Sequence, residues 1–308
     1  MSASHHSQVA PGDRPRSSGA WCAVVLAVLA AVVGAPAASA APFGSAAPRP
    51  GVVVSVAPLG WLVDRLAADA VELTVMLPPN AEVETYEPTP QQMRALAGCG
   101  LYVAVGHPLF ALEAAYVEPI LARQPATRRI GLGAALASRP GDAAGDPHAW
   151  MSLRVLRQTL PGLARELAAL LPAEAATIGE RERRLAAEID ALDAEIGAQL
   201  ARAAAERGRR FLVLHPAFGF LAADYGLVQV ALEHEGKEPS PRQLAQVIAA
   251  ARSGGARVVL VTRGTPPRPA EVVARELGGR LVEIDPLARD WPVGLRAIVA
   301  ALAEALYR

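Results

Sequence analysis

Cysteine, lysine and aromatic residues are all scarce in this 308-residue chain, and each scarcity excludes something. The only cysteines are Cys22 and Cys99, so a small fold stapled by several disulfides is ruled out and stability must come from packing. Lys237 is the only lysine; nearly all positive charge is arginine, which reads as composition bias rather than function. Aromatics at 5% leave too little material for the large aromatic cleft that haem or a metal chelate would need. Neither charge is in excess, with 30 Lys+Arg against 30 Asp+Glu. The basic face of a nucleic-acid binder is therefore missing, and no nucleic-acid partner is expected. Beyond the N-terminus no stretch reaches about 18 apolar residues without a charge, so the mean hydropathy of +0.24, raised largely by alanine, does not indicate a membrane-spanning protein. What is present is 52% hydrophobic and 19% charged residues, enough for ordinary cores and incompatible with wholesale disorder. At roughly 150 residues per domain the length suggests two.

The N-terminus carries an export pattern. Arg14 and Arg16 precede an apolar run from Ala20 to Ala35, and Ala38-Ser39-Ala40 offers a small-residue cleavage site. A charged flank, a short apolar core and an A-x-A ending make a cleavable signal peptide, too short to stay as an anchor. Arg14-Pro15-Arg16 is not a twin-arginine pair, and Cys22 is misplaced for lipid attachment. A mature chain would begin near Ala41, with 28 basic and 29 acidic residues and Cys99 as its one cysteine. It is expected in the periplasm, without stable membrane insertion and as a monomer.

Residues 41–50 form an Ala/Pro/Ser-rich leader. After them, short β-branched runs alternate with amphipathic stretches. The runs Val52–Val56, Val71–Leu77, Leu101–Val105 and Arg129–Leu132 are answered later by Phe211–Leu214, Leu227–Leu232, Val258–Val261 and Leu281–Ile284. Strand and helix in alternation predict parallel βαβ units. Glu87-Pro88-Thr89-Pro90 with Gln92 recurs as Glu238-Pro239-Ser240-Pro241 with Gln243. Each predicts a helix start with a Thr or Ser cap, a first-turn Pro and a Gln closing a capping box. Both fall between the second and third strand of their half, which points to duplication. Between the halves, Glu174–Arg207 lacks proline and repeats Ile178, Leu185 and Leu192 at seven-residue intervals, with Ile189 and Ile196 between them. Fewer than four heptads is short for a coiled-coil dimer, so the stripe predicts a rigid spine packed on both halves. The fold class is α/β: two similar lobes (51–172 and 208–308), each a mostly parallel β-sheet flanked by helices, bridged by one long helix (173–207).

Ligands of open α/β sheets bind beyond the carboxyl ends of the strands. His215 and Asp285 follow strands directly, His107 follows Leu101–Val105 and Gly106, Glu84 lies in the loop after Val71–Leu77, and His148 lies in Gly145-Asp146-Pro147-His148-Ala149-Trp150 before a helix beginning near Leu153. Imidazoles and carboxylates at strand ends of both lobes suggest a divalent metal in the interlobe cleft. Each also has a plain structural reading: Asp285-Pro286 as a turn start, Asp146-Pro147-His148 as a capped loop, and His234 as a surface-loop histidine.

Six segments carry a resemblance. They are Val54-Ser55-Val56-Ala57-Pro58-Leu59, Thr85-Tyr86-Glu87-Pro88-Thr89-Pro90, Asp146-Pro147-His148-Ala149-Trp150, His215-Pro216-Ala217-Phe218-Gly219, Glu235-Gly236-Lys237-Glu238-Pro239-Ser240-Pro241 and Asp285-Pro286-Leu287. Together and in this order they resemble the metal-binding proteins of bacterial zinc and manganese ABC importers, the periplasmic zinc-binding type in particular. The resemblance implies metal held between the lobes by Glu84, His148, His215 and Asp285, and delivery to an ABC permease in the inner membrane. Most zinc-type members have histidine where this chain has Glu84. Two imidazoles with two carboxylates make a harder site, which takes manganese or iron more readily, and His107 is a candidate third imidazole. Zn2+ is the expected cargo, Mn2+ the alternative. The His-rich loop of many members is absent, since residues 134–145 contain no histidine. A secreted zinc hydrolase is the rival reading, but no H-E-x-x-H helix is present, and the spare bases in view are Glu235 and Glu87. No catalytic residue is therefore assigned.

Overall fold

The computed structural model describes residues 48–83, 85–136, 145–233, 240–265 and 268–308. The expected signal peptide, Glu84, His234 and Glu235 lie outside them.

The first half begins with β1 (Gly51–Val56), whose valine-rich run, interrupted only by Ser55, is buried almost throughout, as a central parallel strand requires. It runs directly into α1 (Ala57–Ala67), with Pro58 in the first turn, where no amide hydrogen is needed. Then follow β2 (Glu72–Leu77), α2 (Pro90–Gly98), β3 (Leu101–Ala104), α3 (Glu118–Leu121), β4 (Arg128–Gly131), α4 (Gly133–Leu136) and α5 (Leu153–Leu170). The strands lie parallel in the order β2-β1-β3-β4, with Val54 opposite Val75 on one side and Val103 on the other. The second half comprises β5 (Arg210–Val213), α7 (Gly219–Tyr225), β6 (Val228–Ala231), α8 (Pro241–Gly254), β7 (Val258–Thr262), α9 (Arg268–Glu276), β8 (Arg280–Ile284) and α10 (Trp291–Ala305). Its order, β6-β5-β7-β8, reproduces the first, again all parallel. The two expected capping boxes are present at equivalent places. Thr89 and Gln92 close α2, and Ser240 and Gln243 close α8.

Helix α6 (Ala175–Arg207) joins the halves and is 33 residues long, about 50 Å at 1.5 Å per residue. Its buried stripe is Ile178, Leu185, Ala186, Ile189, Leu192, Ile196 and Leu200, the face that the seven-residue spacing predicts. It packs on α1 and α5 of the first half and on α7 and α10 of the second. Ion pairs edge the stripe on both sides. Arg65 of α1 forks onto Glu188 at 2.7 Å, Arg157 of α5 meets Asp190 at 3.0 Å, and Arg296 of α10 forks onto Glu195 at 2.8 Å. Exposed pairs contribute at most about 1 kcal/mol each, so the apolar stripe carries the association.

The period of two divides the second sheet between two cores. Phe211, Val213, Val258 and Leu260 face the main core with α6 and α10, while Leu212, Leu214, Val259 and Val261 face a smaller cluster with residues of α8 and α9. The main core is continuous from β1 through α6 to α10. Among the described residues, no helix is long and apolar enough to cross a membrane.

Cys99 is buried at the end of α2, its thiol donating to the Leu96 carbonyl at 3.3 Å. Burial pushes the thiol up to about 11 from its ordinary value near 9. The neutral form is favoured by folding, so this contribution to stability is complete below pH 9 and fades as pH rises towards 11. Two predictions follow from the packing. In a chain starting at Ala41, a thiol reagent at pH 8 should label the folded protein at least tenfold more slowly than the unfolded protein, because the thiolate is the reactive form. Ile189→Ala should cost about 2–5 kcal/mol in denaturant unfolding with chelator present, the range for emptying a filled core position.

Candidate metal centre

A cavity of about 260 Å³ opens where strand ends of the second sheet meet loops of the first half. His148, His215 and Asp285 all line it, as do Glu82 and Val83, the chain neighbours of Glu84 that precede it. The β8–α10 loop brings Asp285, and the β5–α7 loop brings His215. His148 comes from the loop entering α5, where Ser152 caps the helix by accepting from the Val155 amide at 3.1 Å.

His148 is 3% exposed. Oδ1 of Asp146 accepts at 2.8 Å from both its backbone N–H and its ring Nδ1. That is an Asx turn, and it locks the imidazole's direction. His215 has the same support from another residue, with Glu233 Oε2 at 3.2 Å from its Nδ1. A carboxylate accepts only, so each Nδ1 carries the ring hydrogen and each Nε2 presents a lone pair. The two Nε2 atoms face one another at 3.4 Å. Asp285 is held at Oδ1 by the Leu287 amide at 2.9 Å, while its Oδ2 lies 3.5 Å from Nη1 of Arg263. Among the described residues, no three His, Cys, Asp or Glu side chains are grouped to hold an ion. The structure thus brings the two histidines into contact and puts Asp285 on the same wall.

A sequence profile of the ZnuA family, described as zinc-uptake complex component A, periplasmic, matches residues 52–305. The chain belongs to this family. Iron-binding protein YfeA of Yersinia pestis is 28% identical over 236 residues, which cover 74% of this chain and 75% of YfeA. A crystal structure of ZnuA superposes with a TM-score of 0.76 at 30% identity, covering 83% of this chain and 99% of that one. A ZnuA deletion mutant with zinc bound gives 0.74 at 30% identity, covering 84% and 99%. The two-lobed α/β fold read from the sequence is the fold of this family.

The third imidazole proposed from the sequence is not at the cavity. His107 is buried after β3, where its Nδ1 accepts from the Leu109 amide at 3.1 Å, and it is not among the residues lining the cavity. Beside it, the buried carboxyl of Glu113 accepts from the amides of Val105 at 2.7 Å and Gly106 at 2.8 Å and from the Ser55 hydroxyl. Burial raises its pKa above the usual carboxylate range. The segment after β3 is therefore tied down by backbone capture.

Three residues that support the two imidazoles and their loops were not assigned that role from the sequence. Glu233 follows β6 as His215 follows β5, so the strand-end rule could have found it. Asp146 carries an Asx-turn signal two residues before His148. Trp150 reads only as the last residue of the Asp146–Trp150 segment, with no signal for its partner. Its buried indole donates to the Pro286 carbonyl at 3.0 Å and meets the His148 ring edge-on at 5.1 Å. It therefore connects the His148 loop to the Asp285 loop. Trp150→Phe keeps most of the apolar ring and leaves the Pro286 carbonyl without this donor. It should cost about 1–3 kcal/mol in unfolding with chelator present and weaken metal binding in direct titration. Unchanged affinity would show that the bond holds the fold without holding the site.

Proposed function

We propose that the protein captures a divalent transition metal in the periplasm, zinc first and manganese second, and passes it to an ABC permease. The observation that carries this reading is the pair of Nε2 atoms 3.4 Å apart. Zinc–nitrogen bonds of about 2.0–2.1 Å at a tetrahedral angle separate two nitrogens by about 3.3–3.4 Å. Two lone pairs at that distance repel unless a cation or a proton lies between them, and both Nδ1 atoms already face carboxylates. His148 and His215 then supply the imidazole donors, Asp285 a carboxylate and Glu84 the fourth ligand. The metal is the protein's cargo.

Zinc is favoured by the nitrogen pair and by the family, which is one of uptake components rather than enzymes. Manganese keeps second place because two carboxylates make a hard half-site. The hydrolase alternative gains no support from its two candidate bases, since Glu87 does not line the cavity and Glu235 lies outside the described residues.

Metal content of protein purified without chelator, followed by zinc–manganese competition, tests the proposal. At a free metal concentration about 100 times the dissociation constant, binding to the folded state should add about 2.7 kcal/mol of stability. Thermal melts with zinc and with chelator should differ accordingly. The difference should vanish in the His148→Ala/His215→Ala double variant and shrink with acid, because imidazole coordinates only when neutral. An equal rise in the double variant would reject the site. For the fourth ligand, Glu84→Ala should weaken binding, while Glu84→His should shift preference towards zinc, imidazole being the softer donor. No effect of Glu84→Ala on either metal would remove Glu84 from the ligand set.

A further inference from the structure

Strands β7 and β8 are paired through Thr262 and Ile284, and the Arg263 amide extends the pairing by donating to the Ile284 carbonyl at 2.9 Å. Glu283 and Asp285 are two residues apart at the end of an extended strand, so their side chains leave on the same side. The Arg263 guanidinium lies against both. Its Nε donates to Glu283 Oε1 at 2.7 Å and its Nη1 to Asp285 Oδ2 at 3.5 Å. Arg263 lines the cavity, and the two carboxylates hold its pKa above the ordinary arginine value, the Glu283 bond first.

We propose that Arg263 is a metal-selectivity residue, drawing charge from Asp285 and so tilting the site from manganese towards zinc. This rests on Asp285 being a ligand. A carboxylate shared with a guanidinium donates less charge to a bound cation. Manganese depends on hard oxygen donors, while zinc also gains strongly from imidazole. Weakening Asp285, the ligand carboxylate against which Arg263 lies, therefore costs manganese more than zinc. Glu283 moderates the effect by holding the guanidinium at the shorter distance. Without Glu283, Asp285 is the remaining carboxylate of this pair.

Chelator-competition titrations of wild type, Arg263→Gln, Arg263→Lys, Glu283→Gln and Asp285→Asn with zinc and with manganese test the idea. Because the pair is open to solvent its effect is modest, at most roughly fivefold in affinity. Arg263→Gln should tighten manganese by about that factor and zinc by less than twofold. Glu283→Gln should weaken manganese, and Arg263→Lys should fall between wild type and Arg263→Gln. Melts with chelator present check that each variant folds. An unchanged or widened zinc-to-manganese ratio in both Arg263 variants would overturn the proposal. If Asp285→Asn weakens both metals while the Arg263 variants behave as wild type, the selectivity role alone fails. If Asp285→Asn alters neither metal, the ligand assignment fails and this inference falls with it.

Discussion

The bond from the buried indole of Trp150 to the Pro286 carbonyl is the constraint on which the centre depends. His148 belongs to the first half, whereas His215 and Asp285 belong to the second. Neither half can assemble the set alone, so the distance between the Nε2 atoms is only as well defined as the placement of one half on the other. Trp150 fixes that placement beside the site by touching the His148 ring and the Asp285 loop together. Helix α6 fixes it at larger scale, through one apolar stripe buried against helices of both halves. In the proposed metal site, a donor pair held in this way would lose little ordering entropy on binding an ion.

The same economy recurs at each imidazole. Metal-ligating histidines characteristically donate their second nitrogen to an oxygen, which sets the tautomer and raises donor strength. Here the two histidines reach that arrangement by different routes. Asp146 is local and uses one oxygen for both the backbone and the ring of His148. Glu233 comes from the adjacent strand, because parallel pairing of β5 with β6 puts Val213 opposite Ala231 and brings the two strand ends side by side. The two like sheets thus did not yield a symmetric site, and among the described residues only the second sheet has a histidine and a glutamate just beyond neighbouring strand ends.

Much of this was legible in the sequence because it is encoded locally. Runs such as Val258–Val261, and Val52–Val56 apart from Ser55, have the apolar character that burial on both faces demands, and all eight expected strands are present. Their ends moved by a residue or two. Val71, for example, falls between the turn at Ala68–Ala70 and β2 instead of opening the strand. The α6 stripe and both capping boxes follow from spacing alone. Long-range pairings were not legible. Nothing near Trp150 specifies a carbonyl 136 residues away, and Arg263 meets Asp285 only through the register of β7 with β8. His107 shows the opposite failure, since it satisfies the strand-end rule yet its ring nitrogen turns back to its own loop.

The rigidity of the spine also limits how an ion can enter. Opening the halves as a hinge would bend α6 or strip its stripe from α1, α5, α7 or α10, and each emptied apolar position costs on the order of 2–5 kcal/mol. The loops at the cavity mouth are a cheaper place for movement. Asn80, with φ of 65°, and Gly264, with φ of 89°, approach from opposite halves. A side chain at Gly264 would meet the Asn80 carbonyl at 3.0 Å in addition to the strain of its left-handed backbone. Both residues belong to the loops that edge the cavity, and neither belongs to the main apolar core. Separating them breaks a close approach of two turns and leaves the packed stripe intact. For the proposed metal site, exchange through these loops is therefore the route compatible with a fixed relation between the halves, and it would leave the His148–His215 spacing undisturbed.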